Sequence, residues 1–173
     1  MTLFRPATPL MVQYAHYHRD RRNIATHLVG IPLITLSVGV LLLGPSWTVA
    51  GHALTLAWCV WALTSLWYLS RGDLLLGTAT TLVNGALIAL AHQVPSWAAA
   101  WALPVWQMGV GLFLVGWVFQ FVGHYFEGRK PAFVDDLVGL LVGPMFVVGE
   151  CLMGVGLLQK MRRDIERQAG PSR

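Results

Sequence analysis

The fold is decided by Trp97–Val122, WAAAWALPVWQMGVGLFLVGWVFQFV, which contains no Lys, Arg, Asp or Glu. A helix needs about 20 predominantly apolar residues to cross the hydrocarbon core of a bilayer, so this run reads as a membrane span. Pro104 either kinks it or marks its true start, because proline has no N–H to give a helix. Four further apolar runs flank it: Leu28–Leu43, Thr48–Ser70, Leu74–Ala91 and Leu137–Leu158. The first is short and carries Gly30 and Pro32. The second ends at Trp67-Tyr68, residues suited to the headgroup level. The last is interrupted by Gly143-Pro144. An all-α polytopic membrane bundle is predicted, with about four full spans and a fifth, Gly/Pro-broken element. Residues 1–173 form one integral membrane domain, with an N-terminal tail over 1–13 and a basic C-terminal tail over 159–173.

Composition agrees. Of 173 residues, 55% are apolar and 12% charged, against roughly 25% charged in a soluble domain. Mean hydropathy is +0.59. A soluble enzyme, a disordered tail and a disulfide-rich secreted domain are all excluded by that balance. Between His27 and Gln159 the only charged residues are Arg71, Asp73, Glu127, Arg129, Lys130, Asp135, Asp136 and Glu150. The net charge of +4 therefore comes mainly from the two ends. Basic ends beside apolar runs suit anionic lipid headgroups, and nucleic acid is not an expected partner. Cys59 and Cys151 sit in apolar runs without metal or disulfide spacing and read as packing residues. The first residues have neither the apolar stretch nor the cleavage site of a removable signal peptide.

Lys and Arg positions set the expected orientation. Arg5, Arg19, Arg21 and Arg22 place the N-terminal segment in the cytoplasm. The turns at Gly44-Pro45-Ser46 and Gln93–Ser96 carry no Lys or Arg and belong outside; those at Arg71 and Arg129-Lys130 return inside. Five full spans would leave Lys160, Arg162, Arg163 and Arg167 outside, so the last element is expected to be re-entrant or split at Gly143-Pro144. Arg outnumbers Lys 10 to 2, which points to the inner membrane of a high-GC bacterium; a eukaryotic homologue would occupy the endoplasmic reticulum. The glycines, Gly39, Gly109, Gly111 and Gly116 among them, are read as close helix–helix contacts.

Six histidines are present. His52 and His92 fall at outer ends, while His16, His18, His27 and His124 fall on the cytoplasmic side. Neutral imidazole is the commonest metal ligand, so convergence of the second set is a metal-site hypothesis; hydrogen-bonded interfacial histidines are the alternative. Tyr14/His18 and Asn23/His27 are i,i+4 pairs and share helix faces. His18 and His27 are nine residues apart, about 900° of rotation on one straight helix, and would point to opposite sides of it. A shared ion therefore requires a break between them. Arg19–Asn23 supplies one, with Asn23 as N-cap of the next helix. Gln120, His124 and Glu127 form a second polar stripe at a helix end, either part of a site or an interfacial collar. Glu150 lies inside an apolar run, where a carboxylate is expensive. It is protonated, pairs with a histidine, or stabilises the break near Pro144.

Tyr14-x3-His18-x4-Asn23-x3-His27-x2-Gly30-x-Pro32 and Gln120-x3-His124-x2-Glu127-Gly128-Arg129-Lys130-Pro131-Ala132 together resemble the signature of the membrane-bound 2-hydroxy fatty acid dioxygenases of α-oxidation. Gly143-Pro144-x-Phe146-x3-Glu150 is similar to that family as well. The resemblance implies an Fe(II)-dependent membrane enzyme that uses O2 to shorten a long-chain 2-hydroxy fatty acid by one carbon, releasing CO2. It implies His18, His27 and His124 as iron ligands, and Glu127 as a fourth ligand or the partner that orients an imidazole. Asn23 and Gln120 would support the ligands, Tyr14 would bond substrate or an oxygen intermediate, and Arg129 and Lys130 would hold the substrate carboxylate or solvated lipid headgroups. His16 stands outside the motif, and its part is open. Two rival readings are a b-type haem protein using His52 and His92, and a non-catalytic membrane scaffold or transport subunit whose polar stripe lines a cavity. A di-iron desaturase lacks its H-x-x-H-H pattern here.

Overall fold

In the computed structural model, which describes residues 4–44, 46–49, 52–130 and 137–173, the longest helix pairing joins α2 (Arg21–Leu41) to α6 (Val105–Glu127). Glycine makes that approach possible. A Cβ on Gly30 would lie 2.8 Å from the Gly116 carbonyl oxygen, and one on Gly116 would lie 2.9 Å from the Gly30 carbonyl oxygen. Gly109, Gly116 and Gly123 recur every seventh residue along the buried face of α6, the spacing that keeps one side of a helix against its neighbour. Gly39 is a contact point too, but Gly111 faces open space and is not the packing residue expected.

Around this pair the described residues add α1 (Ala7–Ala15), a hairpin of β1 (Ser46–Val49) and β2 (His52–Thr55), α3 (Leu56–Leu69), α4 (Leu74–Ala91), α5 (Val94–Ala100), α7 (Val138–Gly154) and α8 (Gln159–Ala169). The chain is an all-α membrane bundle with one two-stranded hairpin. Residues 21–41, 74–100 and 105–127 are long and apolar enough to cross a bilayer, and the bent pair α7–α8 is a fourth candidate span. Helix ends follow local chemistry. Asp73 caps α4 by accepting from the Leu76 N–H at 2.9 Å, Pro104 precedes α6 and so marks its true start, and Gly128 at φ 69° stops it.

Two elements differ from expectation. Thr48–Ser70 was predicted as one span, but Ser46–Val49 pairs antiparallel with His52–Thr55 and the helix begins at Leu56. Hydropathy alone does not separate the two states, whereas β-branched Thr48 and Val49 beside Trp47 favour a strand. The remaining 14 residues of α3 rise only about 21 Å. The expected break at Gly143-Pro144 is also absent, since Pro144 lies inside a continuous α7. The chain bends by 113° after Gly154 instead, through Gly156 at φ 89° and Leu158 at φ 52°.

That bend returns the basic C-terminal segment to the end of the bundle that carries Arg19. The Arg21 N–H donates to the Arg173 carbonyl and the Arg173 N–H to the Arg19 carbonyl, both at 2.8 Å. The Arg71 turn sits at this end as well, where its carbonyl accepts from the Ala7 N–H at 2.8 Å. The hairpin and His92 occupy the opposite end, joined through Thr55 Oγ1 and His92 Nε2 at 3.2 Å. Within the first end α1, α7 and α8 enclose the main core, including Leu10, Met11, Leu76, Met145, Phe146 and Ile165.

Candidate metal centre

Asp20 creates the break that brings His18 and His27 together. Its extended backbone precedes α2 and its carboxylate accepts from the Arg22 N–H at 2.8 Å. Asp20, not Asn23, is therefore the N-cap, and Asn23 lies inside the first turn of α2. Either residue type caps well. The choice falls on Asp20 because Asn23 is taken up elsewhere: its Nδ2 donates to Glu127 Oε2 at 3.0 Å and to the Tyr17 carbonyl at 3.1 Å.

With the chain turned at Asp20, His18 Nε2 and His27 Nε2 face each other at 3.0 Å. His18 Nδ1 donates to the Tyr14 carbonyl at 2.8 Å, and His27 Nδ1 donates to the Asn23 carbonyl at 2.9 Å. A carbonyl only accepts, so both Nδ1 atoms carry the proton and both Nε2 atoms present lone pairs. Two lone pairs facing each other at that distance call for a cation between them. Two nitrogens about 3.0 Å apart can both lie about 2.1 Å from one ion. His124 completes the group: one nitrogen from each of His18, His27 and His124 lies within 4.8 Å of the others, and all three residues are buried. Burial, with His27 close by, holds the His18 imidazole well below its ordinary value, which keeps it neutral and able to ligate. The donor set fits a divalent transition metal with an N-rich, borderline preference.

Glu127 is not among the converging nitrogens. Its Oε2 accepts from the backbone N–H groups of Arg19 and Asp20, at 2.9 and 2.8 Å, and from Asn23; Arg173 lies 3.7 Å from Oε1. Its acceptor capacity goes to the start of α2, so it acts on the histidines through the backbone that carries them. Glu150 pairs with Arg19 at 3.6 Å, rather than with a histidine or the Pro144 region.

A family model described as 2-hydroxy-palmitic acid dioxygenase Mpo1-like matches residues 4–155, which include all three histidines. The chain belongs to this Mpo1-like family. It is also 34% identical, over 88% of its length and 83% of the relative's, to the 2-hydroxy-palmitic acid dioxygenase MPO1 of Saccharomyces cerevisiae. No solved structure matches it.

Other residues singled out in this Mpo1-like chain fall into place around the trio. Tyr14 stacks on His18 with ring centroids 4.1 Å apart and planes within 2°, and Phe146 packs against both rings. Tyr14, His27, Gln120 and His124 line a cavity of about 490 Å³, counted to its open mouth, that is closed on another side by Gly143 and Pro144. The Gln120 amide fills the notch left by the missing side chain of Gly30, and its Nε2 is buried without a partner among the described residues. Arg129 and Lys130 do not reach that cavity. They are exposed beyond Gly128, whose left-handed backbone turns the chain away, and Arg129 donates to the His16 carbonyl at 2.7 Å. His16 is exposed and stands apart from the trio. Pro131, Ala132, Asp135, Asp136 and the His52 side chain lie outside the described residues. His92 has both ring nitrogens engaged, with the Ile88 carbonyl and Thr55, and stacks on Trp58. Phe146 stands in the Gly143-Pro144-x-Phe146-x3-Glu150 motif, but its apolar neighbours gave no signal that it forms a wall of the site.

Proposed function

We propose that the protein is an Fe(II)-dependent dioxygenase that converts a long-chain 2-hydroxy fatty acid into the acid one carbon shorter. The single observation that carries this reading is the buried convergence of His18, His27 and His124, in a chain whose yeast relative is named for 2-hydroxy-palmitic acid dioxygenase activity. The stoichiometry closes with O2: one 2-hydroxy acid and one O2 give the shortened acid, CO2 and water.

His18, His27 and His124 would hold the ion. Bound there, Fe(II) would supply redox and Lewis-acid chemistry for the 2-hydroxy acid and O2. The remaining work belongs to the protein. Tyr14 is buried, which pushes its hydroxyl above its ordinary value, so it stays protonated and donates to an oxygen in the cavity. The unpartnered Gln120 amide, on the same cavity wall, is a second donor for the carboxylate. Phe146 and the small residues of α7 exclude water from the histidines. Glu127 and Asn23 hold the loop that orients two of the three imidazoles. Arg5, Arg19, Arg21, Arg22 and Arg71 gather at the site's end of the bundle, and the positive-inside rule supports a cytoplasmic position for that end. The enzyme is then an integral protein of a bacterial inner membrane or the endoplasmic reticulum, drawing its substrate from the lipid phase.

The test is aerobic incubation of Fe(II)-loaded protein with 2-hydroxy acids of several chain lengths, followed by mass spectrometry. The expected product is the acid one carbon shorter together with CO2. No shortened acid at any length overturns the proposal.

A further inference from the structure

The cavity at the histidines is not closed at its membrane side. Ile34, Thr35, Trp117, Leu140 and Pro144 line it and also line a second, larger and half-open chamber of about 940 Å³, counted to its open mouth, between α2, α3, α4, α6 and α7. No charged side chain lines the second chamber. Its polar lining consists of the Thr35 and Thr64 hydroxyls, the Asn84 amide, the Trp117 indole, and Tyr68 and Trp61, whose own donors are turned to backbone carbonyls of Leu141 and Thr81 at 3.0 Å each.

Leu42, Ala57 and Val60 line the part of it that lies farthest along α2 from His27, and there the Ala57 N–H donates to the Leu42 carbonyl at 3.3 Å, tying the start of α3 to the end of α2. From His27 to Leu42 the backbone of α2 advances roughly 22 Å. A long saturated tail fits that distance extended, and a short one leaves the far end empty.

We infer that the second chamber takes the acyl tail of the substrate, and that the Leu42–Ala57–Val60 end sets the longest tail the enzyme accepts. This rests on the preceding reading that the substrate is a 2-hydroxy fatty acid. The occupant follows from continuity and chemistry: the head sits where the histidines and donors converge, and this chamber shares five lining residues with that cavity and is lined by no charged side chain.

Two variants act in opposite directions. Val60→Phe fills the far end, and Leu42→Ala deepens it. In a series of 2-hydroxy acids, Val60→Phe is expected to lower kcat/KM for the longest tails at least tenfold while leaving the shortest unchanged; Leu42→Ala is expected to move the optimum to longer tails. Binding is read separately with brominated saturated fatty acids, whose quenching of Trp61 and Trp117 fluorescence reports chamber occupancy without turnover. If Val60→Phe does not fold, the Leu42→Ala shift decides alone. A length profile unchanged in both turnover and quenching, or a loss uniform across all lengths, overturns the inference. Length-dependent quenching without turnover of any 2-hydroxy acid overturns the proposed activity and leaves the chamber's role standing.

Discussion

The Glu127 carboxylate accepts the backbone N–H of Asp20 at 2.8 Å, so the last residue of α6 holds the residue that starts α2. The same oxygen takes the Arg19 N–H and the Asn23 amide. Three buried donors thus depend on one side chain, itself 1% exposed. Replacing it with alanine leaves them unsatisfied and is expected to cost about 3 kcal/mol. Glu127→Gln keeps an acceptor and is expected to fold, but with iron affinity lowered about tenfold. Thermal unfolding in detergent and an iron titration separate the two effects.

His18, His27 and His124 are expected to act as one unit. Each single alanine variant should purify with little iron while the wild-type protein retains it, and chelation of the wild type should abolish turnover until Fe(II) is returned. Elemental analysis checks the first expectation and an activity assay the second. Iron retained at the wild-type level by His124→Ala would remove that residue from the ligand set.

The α2–α6 seam offers a stability test away from the chemistry. A side chain at Gly116 meets the Gly30 carbonyl and Ile34 Cγ1 at 2.9 and 2.7 Å, so Gly116→Val is expected to destabilise by about 1–3 kcal/mol. Gly111 has nothing within 4 Å, and Gly111→Ala is expected to be neutral or to stabilise by up to about 1 kcal/mol. Melting temperatures of the two variants should move in opposite directions or leave Gly111→Ala unmoved.

The metal-free protein should weaken in acid. Burial lowers the His18 value in the folded state from its ordinary 6.5. Below about that pH the unfolded chain therefore takes a proton that the folded chain refuses. His18's contribution is fully present above 6.5 and is lost progressively as the pH falls towards its lowered folded value. Thermal unfolding of chelator-treated protein between pH 8 and 5 is expected to show that decline, and bound iron should shift it to lower pH.

Much of this was legible in the residues themselves. The nine-residue spacing of His18 and His27 demanded a break, and the polar run Arg19–Asn23 was the place for it. The cap within that run was not legible, because Asp20 and Asn23 are equally able caps and Glu127, far along the chain, decides between them. The cationic turn at Arg129 and Lys130 suited a carboxylate or a lipid headgroup equally, and only the left-handed Gly128, which turns them outward, favours the headgroup. The Thr48–Ser70 run misled for a related reason: hydropathy measures affinity for lipid, whereas strand pairing depends on cross-chain register. The role of Glu150 was likewise set by a partner, Arg19, that no local pattern announces.

The exchange of hydrogen bonds between Arg173 and the Arg19–Arg21 backbone has a consequence for biosynthesis. A ribosome delivers Arg19 early and Arg173 very late, so the loop bearing His18 waits, unbraced on that side, while the intervening helices enter the membrane.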